Sequence, residues 1–253
     1  SRGLGDVYKR QDNNEGSGNY QFSILGVRDV ISKDTSNLFS QFSIHTQEIN
    51  DDKRFVGNLG LGYRFLNPDE SFMFGSNVFY DTDIQEGHKR IGYGLEAKAA
   101  IVDFSFNQYL KTTNQKVISG TKEQILSGND YNISSQVPYM PWSTFNLQGY
   151  RYENEKASND QKGYIYSLEN MLNPSLQFNI ELDNSSISGV KDEHNYEFVF
   201  IYPPQEKEYS LSKQAISDVA FEKKNMQAAL KDKVRRNNNL TVEIQGSVIF
   251  TSK

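Results

Sequence analysis

Cysteine is absent from this chain of 253 residues, so disulfides and thiolate-based metal or redox chemistry are excluded. No run of eighteen apolar residues occurs either, so no helix is fit to cross a bilayer. That test does not reach a β-barrel, in which only half of each strand faces lipid. Basic residues form no block and the formal net charge is −5, which leaves nucleic acid without an electrostatic footprint. The first residues, SRGLGDVYKRQ, lack the apolar stretch of a secretory signal peptide. They also lack the patterning found downstream. Residues 1–11 are therefore read as a translated cloning or sequencing adapter, with a natural terminus as the alternative. On that reading the true N-terminus is missing.

What is present is strict alternation. In RFVGNLGLGYRF, Phe55, Leu59, Leu61, Tyr63 and Phe65 share one parity, while Arg54, Asn58, Gly60, Gly62 and Arg64 share the other. In HKRIGYGLEAKA, Ile91, Tyr93, Leu95, Ala97 and Ala99 oppose Arg90, Gly92, Gly94, Glu96 and Lys98. A period of two puts alternate side chains on opposite faces of a strand. The pattern recurs to about residue 202 and gives eleven strands. A soluble sheet would bury the apolar face; a membrane barrel would turn it to lipid. The segments run well past the usual five or six residues of a soluble strand and reach the roughly 9–11 that cross a bilayer. Aromatic residues near segment ends, such as Phe72 with Tyr80 and Tyr196 with Tyr202, fit interfacial girdles. The fold predicted is all-β: a transmembrane antiparallel β-barrel. Single-chain bacterial barrels have even strand numbers, so eleven visible strands imply a twelfth that is missing.

The connections are also patterned. Ala99-Ala100-Ile101 must be a tight hairpin, and Asn173-Pro174 another turn. The stretch 112–128 is the longest interruption, polar with a short Val117-Ile118 patch. After Pro203-Pro204 the alternation stops. Residues 206–233 carry Ile216, Val219, Ala220, Met226 and Leu230 at roughly helical spacing, with Ser212 able to cap a start. Such a helix suits a solvated surface or a polar lumen equally well. Alternation resumes at Leu240, Val242 and Ile244.

No catalytic constellation emerges. His45, His88 and His194 have no ligand spacing, so neither metal nor cofactor is expected, and the chain is not read as an enzyme. The glycines from Gly57 to Gly62 lie within a strand, which leaves a phosphate loop unsupported; on a lumen-facing row they leave room for something packed inside. By parity alone Arg54, Arg64, Arg90, Glu96 and Lys98 are the candidates for lining a pore.

Five blocks in order resemble the β-domain of inverse autotransporters, the intimin and invasin group: GNLGLGYRF, FGSNVFYDTD, HKRIGYGLEAKA, GNDYNISSQVPYMPW and KVRRNNNLTVEI. The resemblance covers about residues 19–244. It implies a twelve-stranded outer-membrane barrel of type V secretion whose linker runs through the pore as a helix and carries a passenger adhesin to the cell surface. The expected division is then an adapter at 1–11, a barrel over 12–202 with its first strand lost upstream, a pore helix and linker over 203–239, and the start of a passenger at 240–253. The linker motif is Arg236, Asn237, Asn238 and Asn239. LKDKV at 230–234 departs from the family's arginine–tyrosine pair. Implied partners are outer-membrane lipid, the barrel assembly machinery with periplasmic chaperones, and a host or surface receptor for the passenger. A diffusion porin and a soluble β-barrel binding module are the alternatives.

Overall fold

The computed structural model describes residues 7–12, 19–50, 52–186, 192–204, 209–244 and 247–249. Twelve antiparallel strands close into a barrel. They are β1 (Val7–Asp12), β2 (Asn19–Lys33), β3 (Ser36–Ile49), β4 (Asp52–Leu66), β5 (Phe72–Asp83), β6 (Lys89–Ala99), β7 (Val102–Lys111), β10 (Gly128–Val137), β11 (Met140–Tyr152), β12 (Gln161–Asn173), β13 (Leu176–Ser185) and β14 (Glu193–Phe200). Each strand pairs with its neighbour in sequence, except that a short hairpin, β8 (Lys116–Ile118) and β9 (Thr121–Ile125), is inserted between β7 and β10. All eleven strands that the alternation predicts are formed.

The twelfth strand corrects the expectation of a barrel that starts at residue 12. Val7–Asp12 lies between β14 and β2, with Val7 opposite both Phe200 and Ile24, and completes the ring. Closure is a backbone demand: the facing edges of β2 and β14 hold N–H and C=O groups that lipid cannot satisfy. Six residues of any extended chain meet that demand, and six are too few to display a periodic pattern.

Exposure settles which way the faces point. Leu59, Leu61 and Leu95 are 60%, 53% and 60% exposed, whereas Arg64 and Arg90 are 0% exposed. The apolar row is outside and the charged row inside, the reverse of a soluble sheet. Tyr63, Phe65, Phe74 and Phe72 form a continuous ring contact on the outside, beside the 67–71 turn. Gly149 and Arg151 fall on this outer face. Tyr131 from β10 covers Gly149, and Arg151 pairs with Asp160 at 2.6 Å in the neighbouring loop.

One end of the barrel has the short connections 34–35, 67–71, 100–101, 138–139 and 174–175; the longest connection, 112–127, is at the other. Outer-membrane barrels put short turns on the periplasmic side and long loops outside. After β14 the chain travels round the short-turn rim. Leu211 N–H donates to Met171 O, Ser217 N–H to Tyr139 O, Tyr139 N–H to Ala220 O, and Lys224 N–H to Ala100 O. The helix expected over 206–233 is therefore not there; 205–208 lie outside the described residues, and only α1 (Met226–Ala229) is helical. Its cap is Asn225, whose Oδ1 accepts Ala228 N–H at 3.1 Å, rather than Ser212. Backbone groups that a helix would pair internally are satisfied by the rim turns instead, and the weak apolar face gives a helix nothing to bury. Met226, Ala229 and Leu230 close the rim against Leu66 and Met73. Past the lumen, β15 (Val242–Ile244) and β16 (Ser247–Ile249) join β9 and β8 in a second sheet of four strands.

Candidate functional site

From α1 the chain enters the lumen at the short-turn end and leaves it at the long-loop end. Its path can be followed by the barrel side chains that hold it. Leu230 O accepts from Asn37 Nδ2 at 3.1 Å and Arg64 Nη1 at 3.2 Å, and Asp232 O accepts from Arg64 Nη1 at 2.5 Å. Val234 N–H donates to Gln41 Oε1 at 2.7 Å, and Arg235 O accepts from Asn107 Nδ2 at 3.0 Å. Asn237 O accepts from Arg90 Nη2 at 2.8 Å, and Asn238 O from Asn58 Nδ2 at 3.0 Å. Gln47 then brackets Leu240, accepting its N–H at 2.9 Å and donating to its O at 2.7 Å. An extended chain cannot pair with itself, so each buried peptide group needs a partner from the wall. The alternating polar row supplies these partners from β3, β4, β6 and β7.

Asp81 of β5 is the electrostatic centre, and sequence reasoning had passed it over. Its carboxylate accepts from Arg236 at 2.6 and 3.0 Å, from Arg90 Nε at 2.9 Å and from Asn58 Nδ2 at 2.8 Å. The residue is 0% exposed. A second group lies nearer the short turns: Arg64 bonds Glu96 at 2.8 Å, and Lys98 Nζ bonds Asp232 at 2.7 Å. The third lies under the long loops, where Arg54 makes two bonds of 2.7 and 2.8 Å to Glu123 of β9. So Arg54, Arg64, Arg90, Glu96 and Lys98 all have buried side chains inside the barrel, divided among three clusters. In the linker motif, Arg236 also bonds Asn238 Oδ1 at 2.9 Å. Asn237 donates its backbone N–H to the Tyr109 hydroxyl and its Nδ2 to the Tyr152 hydroxyl, at 2.7 Å each, and Asn239 N–H donates to Asn237 Oδ1 at 3.0 Å.

Glycines make the lumen wide enough for this. Phe39 lies opposite Gly62, Phe79 opposite Gly60, and Tyr109 opposite Gly92. Each ring lies across its glycine, and a guanidinium stacks on it: Arg64 on Phe39 at 4.2 Å, Arg236 on Phe79 at 4.2 Å and Arg90 on Tyr109 at 4.1 Å. A Cβ at Gly62 would fall 2.3 Å from the Phe39 ring, and one at Gly60 2.5 Å from Phe79. Gly60→Val is therefore expected to destabilise the barrel by about 1–3 kcal/mol through overpacking. Urea unfolding in vesicles, followed by the shift of the folded band on gels, would read this loss. An aromatic on the polar parity opposite a glycine is the sequence signal for such a stack.

Beyond the linker, toward β10–β14, a cavity of about 200 Å³ remains beside Asn132, Glu169, Asn179, Glu181, Asn195 and Glu197. Arg235 reaches across to Glu169 at 2.6 and 2.8 Å. The linker is thus fastened to the β3–β7 wall and, through Arg235, to β12.

His88, in the loop after β5, is buried with its Nε2 3.8 Å from Glu123. Burial, then the charge of Lys116, pushes its pKa below the ordinary 6.5; Arg54 adds to this, and Glu123 and Asp83 oppose it without prevailing. The unfolded state therefore takes up the proton first as pH falls. Its contribution to stability is complete above 6.5 and is lost as pH drops through the lower folded-state value. The thermal midpoint should fall with acidification more steeply in the wild type than in His88→Gln, as circular dichroism melts would measure.

Comparison with known proteins agrees with this geometry. The model of the inverse autotransporter β-domain matches residues 11–238. The chain belongs to the inverse autotransporter β-domain family. The match begins at residue 11, so most of β1 lies before it. The inverse autotransporter adhesin YeeJ of Escherichia coli K12 is 26% identical over 82% of this chain, and intimin of Citrobacter freundii is 24% identical over 86%. The chain spans 9% and 24% of the lengths of these relatives. A solved structure from a study of the in-meso crystallization of membrane proteins covers 96% of the chain and is itself covered completely, with a TM-score of 0.73 at 20% identity. An outer membrane channel from Pseudomonas putida F1 covers 80% of the chain, with 96% of its own length aligned, at a TM-score of 0.55 and 12% identity. This inverse autotransporter β-domain is an outer-membrane protein, and its family is one of translocators and adhesins rather than enzymes.

Proposed function

We propose that this β-domain anchors in the outer membrane and exports the segment that follows its linker, an adhesive passenger beginning at about residue 240, to the cell surface. The observation that carries this reading is the path of residues 230–241, which enter the barrel at the short-turn rim and leave it under the long loops. On this reading the buried pairs hold the linker as a plug after export, and no ATP hydrolysis takes place in the barrel. The barrel assembly machinery and periplasmic chaperones insert it, and the passenger meets a host or surface receptor. Arg54, Arg64, Arg90, Glu96 and Lys98 line the pore, and Arg236 to Asn239 form the resting plug.

The test is expression behind a secretory leader with an epitope fused after Lys253. Antibody should bind intact cells, and added protease should remove the epitope without permeabilisation. An epitope reached only after the outer membrane is opened would favour a diffusion porin with a periplasmic tail.

A further inference from the structure

The chain leaves the lumen into a site already shaped for it. Leu240, Val242 and Ile244 are buried in one cluster with Ile49 of β3, Val56 of β4 and Ile125 of β9. Their main chain adds to the edge of β9. Val242 lies opposite Ile125, Glu243 opposite Gln124 and Ile244 opposite Glu123, and Leu126 N–H donates to Thr241 O at 2.9 Å. Glu243 points the other way and is 2% exposed. Its carboxylate accepts three backbone N–H groups of the loop between β11 and β12: Glu155 at 3.0 Å, Lys156 at 2.9 Å and Ala157 at 2.7 Å. Burying a carboxylate is costly unless its donors are already aimed at it, and successive N–H groups in one turn form such an anion nest. The β9 wall is itself fixed to the barrel by Arg54 and Glu123.

Three modes of recognition thus converge on one short segment: strand addition for its backbone, an apolar pocket for alternate side chains, and a nest for one carboxylate. Nothing in the anchoring of the plug requires them, since Gln47 already satisfies Leu240. We infer that this outer vestibule is a binding site for an extended peptide with alternating apolar side chains and a glutamate before the last, and that it clamps the segment on emergence and opposes its return into the lumen. The clamp rests on the export reading; the peptide site does not. Only a segment that has passed the pore reaches β9 and the 153–160 loop, so binding there biases movement outward.

The test uses the full chain with Glu243→Gln and, separately, Val242→Asp. In vesicles, amide exchange at 155–157 should be about tenfold faster in Glu243→Gln, because a charged acceptor is replaced by a neutral one. Exchange at 121–126 should rise in Val242→Asp. In cells, pulse-chase arrival of a C-terminal epitope at the surface should slow in both variants, with heat-shifted gel migration showing that the barrel has folded. Unchanged exchange in both variants overturns the site. Changed exchange with unchanged arrival leaves a peptide site and overturns the clamp. A wild-type epitope that never reaches the surface overturns export while the exchange result still decides the site.

Discussion

Replacing Asp81 with asparagine is expected to remove about 3–5 kcal/mol from the folded barrel, the cost of breaking a buried ion pair from one side. The magnitude follows from what is left behind. Arg90 and Arg236 both point at that carboxylate and both are buried, at 0% and 6% exposure. Without it two buried guanidiniums lose the carboxylate that both of them bond, and Asn58 keeps an amide whose acceptor has changed. The asymmetry of buried pairs gives a sharper form. Asp81→Asn with Arg236→Met removes a charge of each sign and should recover part of the loss, so the two changes should be strongly non-additive. Denaturant unfolding of the four proteins in vesicles measures the cycle. Equal and additive effects would mean that the linker is not held by Asp81.

The second large effect belongs to the outer face. Leu59 is at the centre of β4 and is 60% exposed. Leu59→Arg should cost about 2–4 kcal/mol, the penalty for a cation at the midplane of a bilayer. The same change at Phe55, on the same face but near the long-loop end, should cost about 0–1 kcal/mol. The gradient with depth is the diagnostic. If this row were packed against protein, the penalty would follow packing rather than height along the strand. Equilibrium unfolding in vesicles reads both variants.

Much of this molecule is legible from one dimension. The parity of Leu59 and Arg64 contains the strand and its two faces, and strand length separates lipid from core as the destination of the apolar side. The five sequence blocks carry the family. What was not legible has physical causes. β1 has six residues and is defined by the edges it fills, so no pattern announces it. The 206–233 stretch has helical spacing, yet Ala100, Tyr139, Met171 and Leu172 at the rim compete for its backbone, and a four-residue turn is all that forms. The β8–β9 hairpin is too short to show alternation, and its pairing partner is the distant exit strand. Asp81 shares a parity with Asn77, Phe79 and Asp83, but only the three-dimensional path of the linker brings Arg236 to it. The aromatics over Gly60, Gly62 and Gly92 were visible as exceptions on the polar face, and their reason appears only when neighbouring strands are in register.

On the export reading the linker runs from a periplasmic rim, through the lumen, to the outside. A chain without cysteine allows a clean test. One protein would carry Lys253→Cys and another Glu70→Cys in a short turn, both expressed behind a secretory leader. Intact cells would be treated with a membrane-impermeant maleimide, then treated again after the outer membrane is opened. Cys at 253 is expected to label at once and Cys at 70 only after opening. Labelling of 70 on intact cells with 253 protected would invert the barrel, and protection of both until opening would leave the tail in the periplasm; either result contradicts the export reading.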